Sequence, residues 1–164
     1  RVSRGEVDAA LELHKEELTV YEALGDQRSR AVTLGDIASI RVSRGEVDDG
    51  LALLGQALEI HRMLSNQDGI AATQNIRADA LLAKQDWQGA AEALAESFGI
   101  LQRIGRMDGL GVVGLKFAQL LLRGGANAEG HQVLTVARRA WEVLGQADAM
   151  AACDQLAQQF PLAE

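Results

Sequence analysis

Several residues in this chain have the types and spacing that chemistry would need. Gly109-Leu-Gly111-Val-Val-Gly114 has the spacing of a dinucleotide-binding loop, with Glu129 twenty residues past Gly109. That chemistry needs a buried strand before the glycines and a helix opening at them, so that backbone N–H groups can face a pyrophosphate. His14, His61 and His131 are potential bases or metal ligands, but they are far apart, form no i, i+4 pair and have no cysteine nearby. Cys153 would be a nucleophile only as a thiolate, and no histidine or cationic cluster adjoins it in sequence to make it one. Glu16, Glu17, Asp48 and Asp49 could work as paired carboxylates, yet they read more simply as a solvated helix face. No nucleophile, base and orienting group can be assembled from these residues. We therefore expect no enzyme activity, no catalytic or metal-binding residues and no cofactor.

The elements that carry these residues follow from a repeat. Residues 1–8, R-V-S-R-G-E-V-D, recur unchanged at 41–48, and a period in this range marks a repeat array. Blocks 1–40, 41–80, 81–120 and 121–160 align. Leu24, Leu64, Ile104 and Leu144 share one position, and so do Ala38, Ala78 and Ala118; Gly5, Gly45 and Gly125 fall at one turn, where Gln85 is the exception. Matching small residues are what closely crossing helices require. In the second block, Leu51, Leu54 and Leu58 form one apolar stripe, and Leu53, Ala57, Ile60 and Leu64 form another. A helix with two stripes is covered on two sides. Ala31, Leu34, Ile37, Ala38 and Val42 form a narrower face on the helix before it.

Each block is thus a shorter helix, a turn and a longer helix, with helices predicted at 6–24, 28–43, 47–64, 68–84, 87–104, 108–123, 127–144 and 147–160. Asp26 or Ser29, Asn66 or Asp68, and Asp108 are the expected N-caps, while Gly25, Gly105 and Gly145 close helices. Gly111 and Gly114 then sit inside a helix, thinned for close packing. Trp87 shares a packing position with Val7 and Val47. Trp141 shares one with Tyr21, His61 and Leu101 and is expected to be half-exposed. Pro161 ends the last helix. The polar Asp154, Gln155, Gln158 and Gln159 suit a capping helix over 147–160.

With 164 residues, 48% of them hydrophobic, the chain is one domain's worth of repeat array. Its net charge of −7 disfavours nucleic acid and anionic membranes, which need clustered Lys and Arg. The longest uncharged runs, 50–58 and 155–163, are nine residues, against about 20 for a membrane span. The single cysteine excludes an intrachain disulfide and suits the cytoplasm. Residues 1–4 align with 41–44, the end of a first-type helix. The expectation is therefore a fragment of a longer array whose first long helix lacks a cover over Leu11 and Leu18 and self-associates there.

Leu34, Ile37-Ala38, Gly45, Gly50, Leu54 and Ala57-Leu58 follow the order of the tetratricopeptide repeat (TPR). Ala78, Ala90, Leu94 and Phe98 keep it in the third copy; Phe117-Ala118, Gly125, Gly130, Leu134 and Ala137 keep it in the fourth. The chain resembles that family in its forty-residue form, as found in bacterial sensor and signalling proteins. Arg77 and Gly114 depart from the pattern, and the turn proline is missing. HEAT repeats overlap in period, but the Gly–small–Leu–Ala order favours TPR. The resemblance implies an all-α, right-handed superhelical solenoid of about eight helices in antiparallel pairs. It also implies a scaffold whose inner, concave face, lined by the first helix of each pair, binds a protein or peptide. The alternative is a ligand-sensing region of a larger signalling ATPase or transcription regulator. Carried over to this sequence, the binding positions are Asp36, Ser39, Asn75, Asp79, Lys116, Gln119, Arg123, Gln155 and Gln159.

Overall fold

The computed structural model describes residues 4–162. Among them are eight α-helices and no strand: α1 (Arg4–Leu24), α2 (Gln27–Ser43), α3 (Val47–Met63), α4 (Gln67–Ala83), α5 (Trp87–Ile104), α6 (Met107–Arg123), α7 (Asn127–Val143) and α8 (Ala147–Gln159). From α2 onward, helix starts recur every forty residues, and the ends lie within two residues of the predicted ones. Arg1–Ser3 lie outside the described residues. Gly5 departs from expectation, because α1 already begins at Arg4 and this glycine is helical rather than in a turn.

Within α1–α4 and within α5–α8, only two or three residues separate consecutive helices, which forces antiparallel neighbours. Each turn closes with an N–H reaching back five residues to a helix carbonyl: Asp26 to Tyr21, Glu46 to Arg41, Asn66 to His61, Asp86 to Leu81, Arg106 to Leu101, Ala126 to Leu121 and Gln146 to Trp141. That closure needs a left-handed residue just past the helix. Glycine supplies it at five turns, while Ser65 and Gln85 adopt positive φ at the other two. Asp26 and Asn66 cap α2 and α4 through the backbone N–H of Ser29 and of Gly69. Asp108 is not a cap as expected. Arg106 holds that place, and Asp108 lies in the first turn of α6, its pKa lowered to about 2 by hydrogen bonds from Arg106 and from the Gly109 N–H.

The chain forms two compact units, Arg1–Asp86 and Trp87–Glu164. In the first, Ala31 and Leu34 of α2 pack on Ala57 and Ile60 of α3, with Leu18 and Leu53 alongside. A second layer joins Ala38, Leu54 and Ala80, with Ile76 against it. The second apolar stripe of α3 ends short of its predicted length, because Leu64 is exposed, as are Leu24, Ile104 and Leu144 at the same position. Ion pairs repeat as well: Arg44 binds Asp8, and forty residues on Lys84 Nζ binds Asp48 at 2.5 Å.

The second unit is built around Phe98 and Phe117, whose ring centroids lie 6.1 Å apart. Its last layer changes character. Where Leu18 meets Leu34 and Phe98 meets Gly114, the corresponding contact is Arg138 with Asp154, bidentate at 2.6 and 3.2 Å. A half-exposed ion pair tolerates water where an apolar pair would not. In α8 only Cys153 and Leu156 are buried. The helix stops before Pro161, and its end is tied by His131 Nε2–H donating to the Phe160 carbonyl at 2.5 Å. No helix among the described residues is long and apolar enough to cross a membrane.

Candidate functional site

The dinucleotide-like glycines lie wholly within α6, behind a helix rather than a strand. Each one faces a neighbour. A Cβ on Gly109 would stand 2.6 Å from Leu101 Cδ2, and one on Gly114 would stand 2.8 Å from Ala137 Cβ and 3.1 Å from Phe98 Cε2. On Gly111 it would run into the Trp141 indole. These glycines let α5 and α7 approach α6, and they leave no cradle for a phosphate.

Titratable groups are equally committed to packing. His61 is 2% exposed and Leu101 at the same repeat position is buried too, while Tyr21 and Trp141 there are half-buried. The His61 ring lies over Gly69, and Asn66 Nδ2 donates to its Nδ1 at 3.1 Å. Burial, helped by the Arg28 charge, lowers the His61 pKa. Cys153 is buried, and desolvation with the Asp154 charge raises its pKa, which keeps it a thiol. Trp141 is half-exposed as expected. Among the described residues, no three His, Cys, Asp or Glu side chains are grouped to hold a metal ion.

All nine predicted binding residues lie on α2, α4, α6 and α8; the expected difference in helix length is not found, since α2, α4 and α6 have 17 residues each, as do α3 and α7. In the first unit, α2 packs directly on α4. It carries Asp36 and Ser39, and α4 carries Asn75 and Asp79; all are exposed except the half-buried Asn75. In the second unit, α6 carries Lys116, Gln119 and Arg123, and α8 carries Gln155 and Gln159, with only Lys116 half-buried. Ser39, Asp79, Gln119 and Gln159 share one repeat position, Asp36 and Lys116 another, Asn75 and Gln155 a third. The two faces differ in charge, Asp36 and Asp79 in one unit against Lys116 and Arg123 in the other.

Two neighbours of Asp36 are missing from the predicted set. Burial of its carboxyl raises the Asp36 pKa, an effect opposed by the His14 charge and reinforced by that of Glu17, so both residues of α1 lie near it. His14 Nδ1 and Glu17 Oε2 are themselves 2.9 Å apart. The sequence carries a signal for them, because His14 and Glu17 align with Leu54 and Ala57, both 0% exposed. Polar residues at core positions mark a face that differs from its copies. The uncovered patch on α1 also needs correcting. Leu11 is buried and Leu18 packs against the α2–α3 cluster, because α2 covers that side. The large apolar residues exposed on α1 are Leu13, Val20 and Leu24.

No protein-family model matches the chain, and no curated protein matches it. Among solved structures, it is similar to the nearly identical TPR-like repeats of a Podosopora anserina protein assigned as a kinesin light chain. The TM-score is 0.66 and the identity 19%, over 95% of this chain and 87% of that one. A point variant of the same repeats gives a TM-score of 0.66 at 20% identity, over 94% and 89%. At such low identity the likeness concerns architecture alone, and the architecture is that of a TPR-like helical repeat.

Proposed function

We propose that the chain is a non-catalytic scaffold of long-form TPR type, working in the cytoplasm, that binds an extended peptide segment of a partner protein on the exposed faces of α2, α4, α6 and α8. The observation that carries this reading is the one repeat position that is polar and exposed on all four helices, held by Ser39, Asp79, Gln119 and Gln159. Carboxamides suit the task, because Asn75, Gln119, Gln155 and Gln159 can each donate to and accept from a peptide backbone. Asp36 and Asp79 favour basic segments, and Lys116 and Arg123 favour acidic ones, so the two units differ in the charge they favour. Cys153 as a buried neutral thiol and the glycines of α6 as packing surfaces support a role without catalysis.

The test is selection of binding peptides from a displayed random library, followed by titration against variants. Asn75→Ala and Gln119→Ala, one in each unit, should each weaken a peptide bound at that unit several-fold, the equivalent of a hydrogen bond worth roughly 0.5–1.5 kcal/mol. His14→Ala and His131→Ala should leave binding intact. Affinity unmoved by every change on the four helix faces would place the site elsewhere.

A further inference from the structure

The turn between α3 and α4 holds a histidine–asparagine pair that the equivalent turns lack. Asn66 uses both ends of its amide. Its Oδ1 accepts from the Gly69 N–H at 3.1 Å and caps α4, while its Nδ2 donates to His61 Nδ1 at 3.1 Å. The backbone ties the two residues together as well, because the Asn66 N–H donates to the His61 carbonyl at 2.9 Å, past Ser65 with its φ of 51°. Gly69 makes room for the imidazole, since a Cβ there would run into Nδ1, and His61 is 2% exposed. At the other three turns the place of Asn66 is held by Asp26, Arg106 and Gln146, and that of His61 by Tyr21, Leu101 and Trp141.

Because Nδ1 accepts, the neutral ring carries its hydrogen on Nε2. Protonation places a second hydrogen on Nδ1, which then faces the Nδ2 hydrogens of Asn66, donor against donor. Oxygen and nitrogen sit on opposite sides of an amide, so Asn66 cannot turn its oxygen to the ring and also keep it on Gly69. A charged donor buried without an acceptor costs more than an open helix cap, so the oxygen goes to the ring. We propose that this turn is a proton-operated latch: a proton on His61 turns the Asn66 amide over, uncaps α4 and loosens its first turn. Burial, helped by the Arg28 charge from α2, lowers the His61 pKa, so the latch opens below the ordinary histidine value of about 6.5. From α4 the ring meets the Gly69 backbone, while the first-turn carboxylate of that helix, Asp68, is exposed. The device is read in the chain alone and does not rest on the peptide-binding reading.

The test is amide hydrogen exchange on the full chain, followed by NMR between pH 7 and pH 5 and corrected for the intrinsic rate at each pH. Ser29 is the internal control. Its N–H donates to Asp26 Oδ1 at 3.0 Å at a turn without a histidine, and the hydrogen bonds from Ser29 lower the Asp26 pKa, so that cap stays charged throughout. Protection of the Gly69 N–H should fall about fivefold once the ring is charged, in step with the His61 titration, while that of Ser29 holds. Asn66→Asp supplies one acceptor oxygen for the ring and one for Gly69. It should raise the His61 pKa and abolish the response at Gly69. His61→Leu, for which Leu101 over Gly109 is the precedent, should abolish the response with protection kept high. Three results would overturn the proposal: Gly69 and Ser29 responding alike, Gly69 keeping its protection while the His61 ring titrates, or a response that survives Asn66→Asp.

Discussion

The substitution Gly111→Ala tests whether the glycines of α6 are packing devices. Alanine in place of an interior helix glycine gains about 1 kcal/mol from backbone entropy. At Gly111 the added Cβ would lie 2.6 Å from both Cδ2 and Cζ2 of Trp141, against the roughly 3.5–4.0 Å of ordinary carbon contacts. The indole must therefore retreat by about 1 Å or α6 must part from α7, and overpacking of this kind costs about 1–3 kcal/mol. The net expectation is a loss of about 1 kcal/mol. Gly99→Ala in α5 of the same unit is the reference: its Cβ would meet only Arg103 Nη1, at 3.7 Å, so the full gain should appear. The two variants should thus differ by about 2 kcal/mol in opposite directions, or about 1 M in urea midpoint for an m-value near 2 kcal/mol/M. Tryptophan emission is the natural probe, because Trp141 and Trp87, which is exposed instead of packed as its repeat position suggests, both belong to this unit. If Gly111→Ala stabilised the protein as much as Gly99→Ala, the crossing would not be close and the packing account of these glycines would fail.

Three further outcomes are expected. Ala78→Leu should lower stability by about 1–3 kcal/mol and Ala83→Leu by almost nothing, because Ala78 is 0% exposed and Ala83 faces water; equal denaturation midpoints would contradict the repeat register. Ser65→Gly and Gln85→Gly should each stabilise by up to about 1 kcal/mol, since both hold left-handed φ values of 51° and 61° at turns where glycine is otherwise used; a loss in calorimetry would show that their side chains matter more than the strain. Stability should fall with pH below about 6.5, because burial lowers the His61 pKa and the unfolded chain takes up the proton first. His61→Leu should flatten that slope in thermal melts between pH 7 and pH 5, since Leu101 fills the same position against Gly109, and an unchanged slope would assign the proton elsewhere.

What can be read in the sequence is whatever repeats. Helix limits are legible because a turn of two or three residues leaves one left-handed position, and Gly25, Gly45, Gly105, Gly125 and Gly145 announce it. Ser65 and Gln85 do the same work with no signature beyond their place in the period. Errors arise where one copy departs from the others. Gly5 matches Gly45 in sequence, yet it is helical in α1. Leu11 reads as bare only if an earlier helix is taken to be its cover, whereas α2 covers that side and leaves Leu13 and Val20 in water. Asp108 matches a capping residue by type, but α6 already begins at Met107, so its carboxylate lies inside the first turn and past the capping position.

The binding positions are legible only as positions. Solvent-facing residues of a repeat carry no packing constraint, so their chemistry is free to change from copy to copy, and one sequence gives no means of separating selected polarity from tolerated polarity. The informative residues are therefore charges placed where the other copies bury apolar groups. Arg138 with Asp154 answers such a substitution within the chain, each supplying the other's countercharge. His14 Nδ1 lies 2.9 Å from Glu17 Oε2, and both residues act on the Asp36 carboxyl in opposite directions. Asp154 has a lowered pKa and Asp36 a raised one, so the first carboxylate is favoured as an anion where it stands and the second is not. The substitution at α7 and α8 is thus matched inside the chain, whereas at Asp36 the effect of burial outweighs the opposing His14 charge.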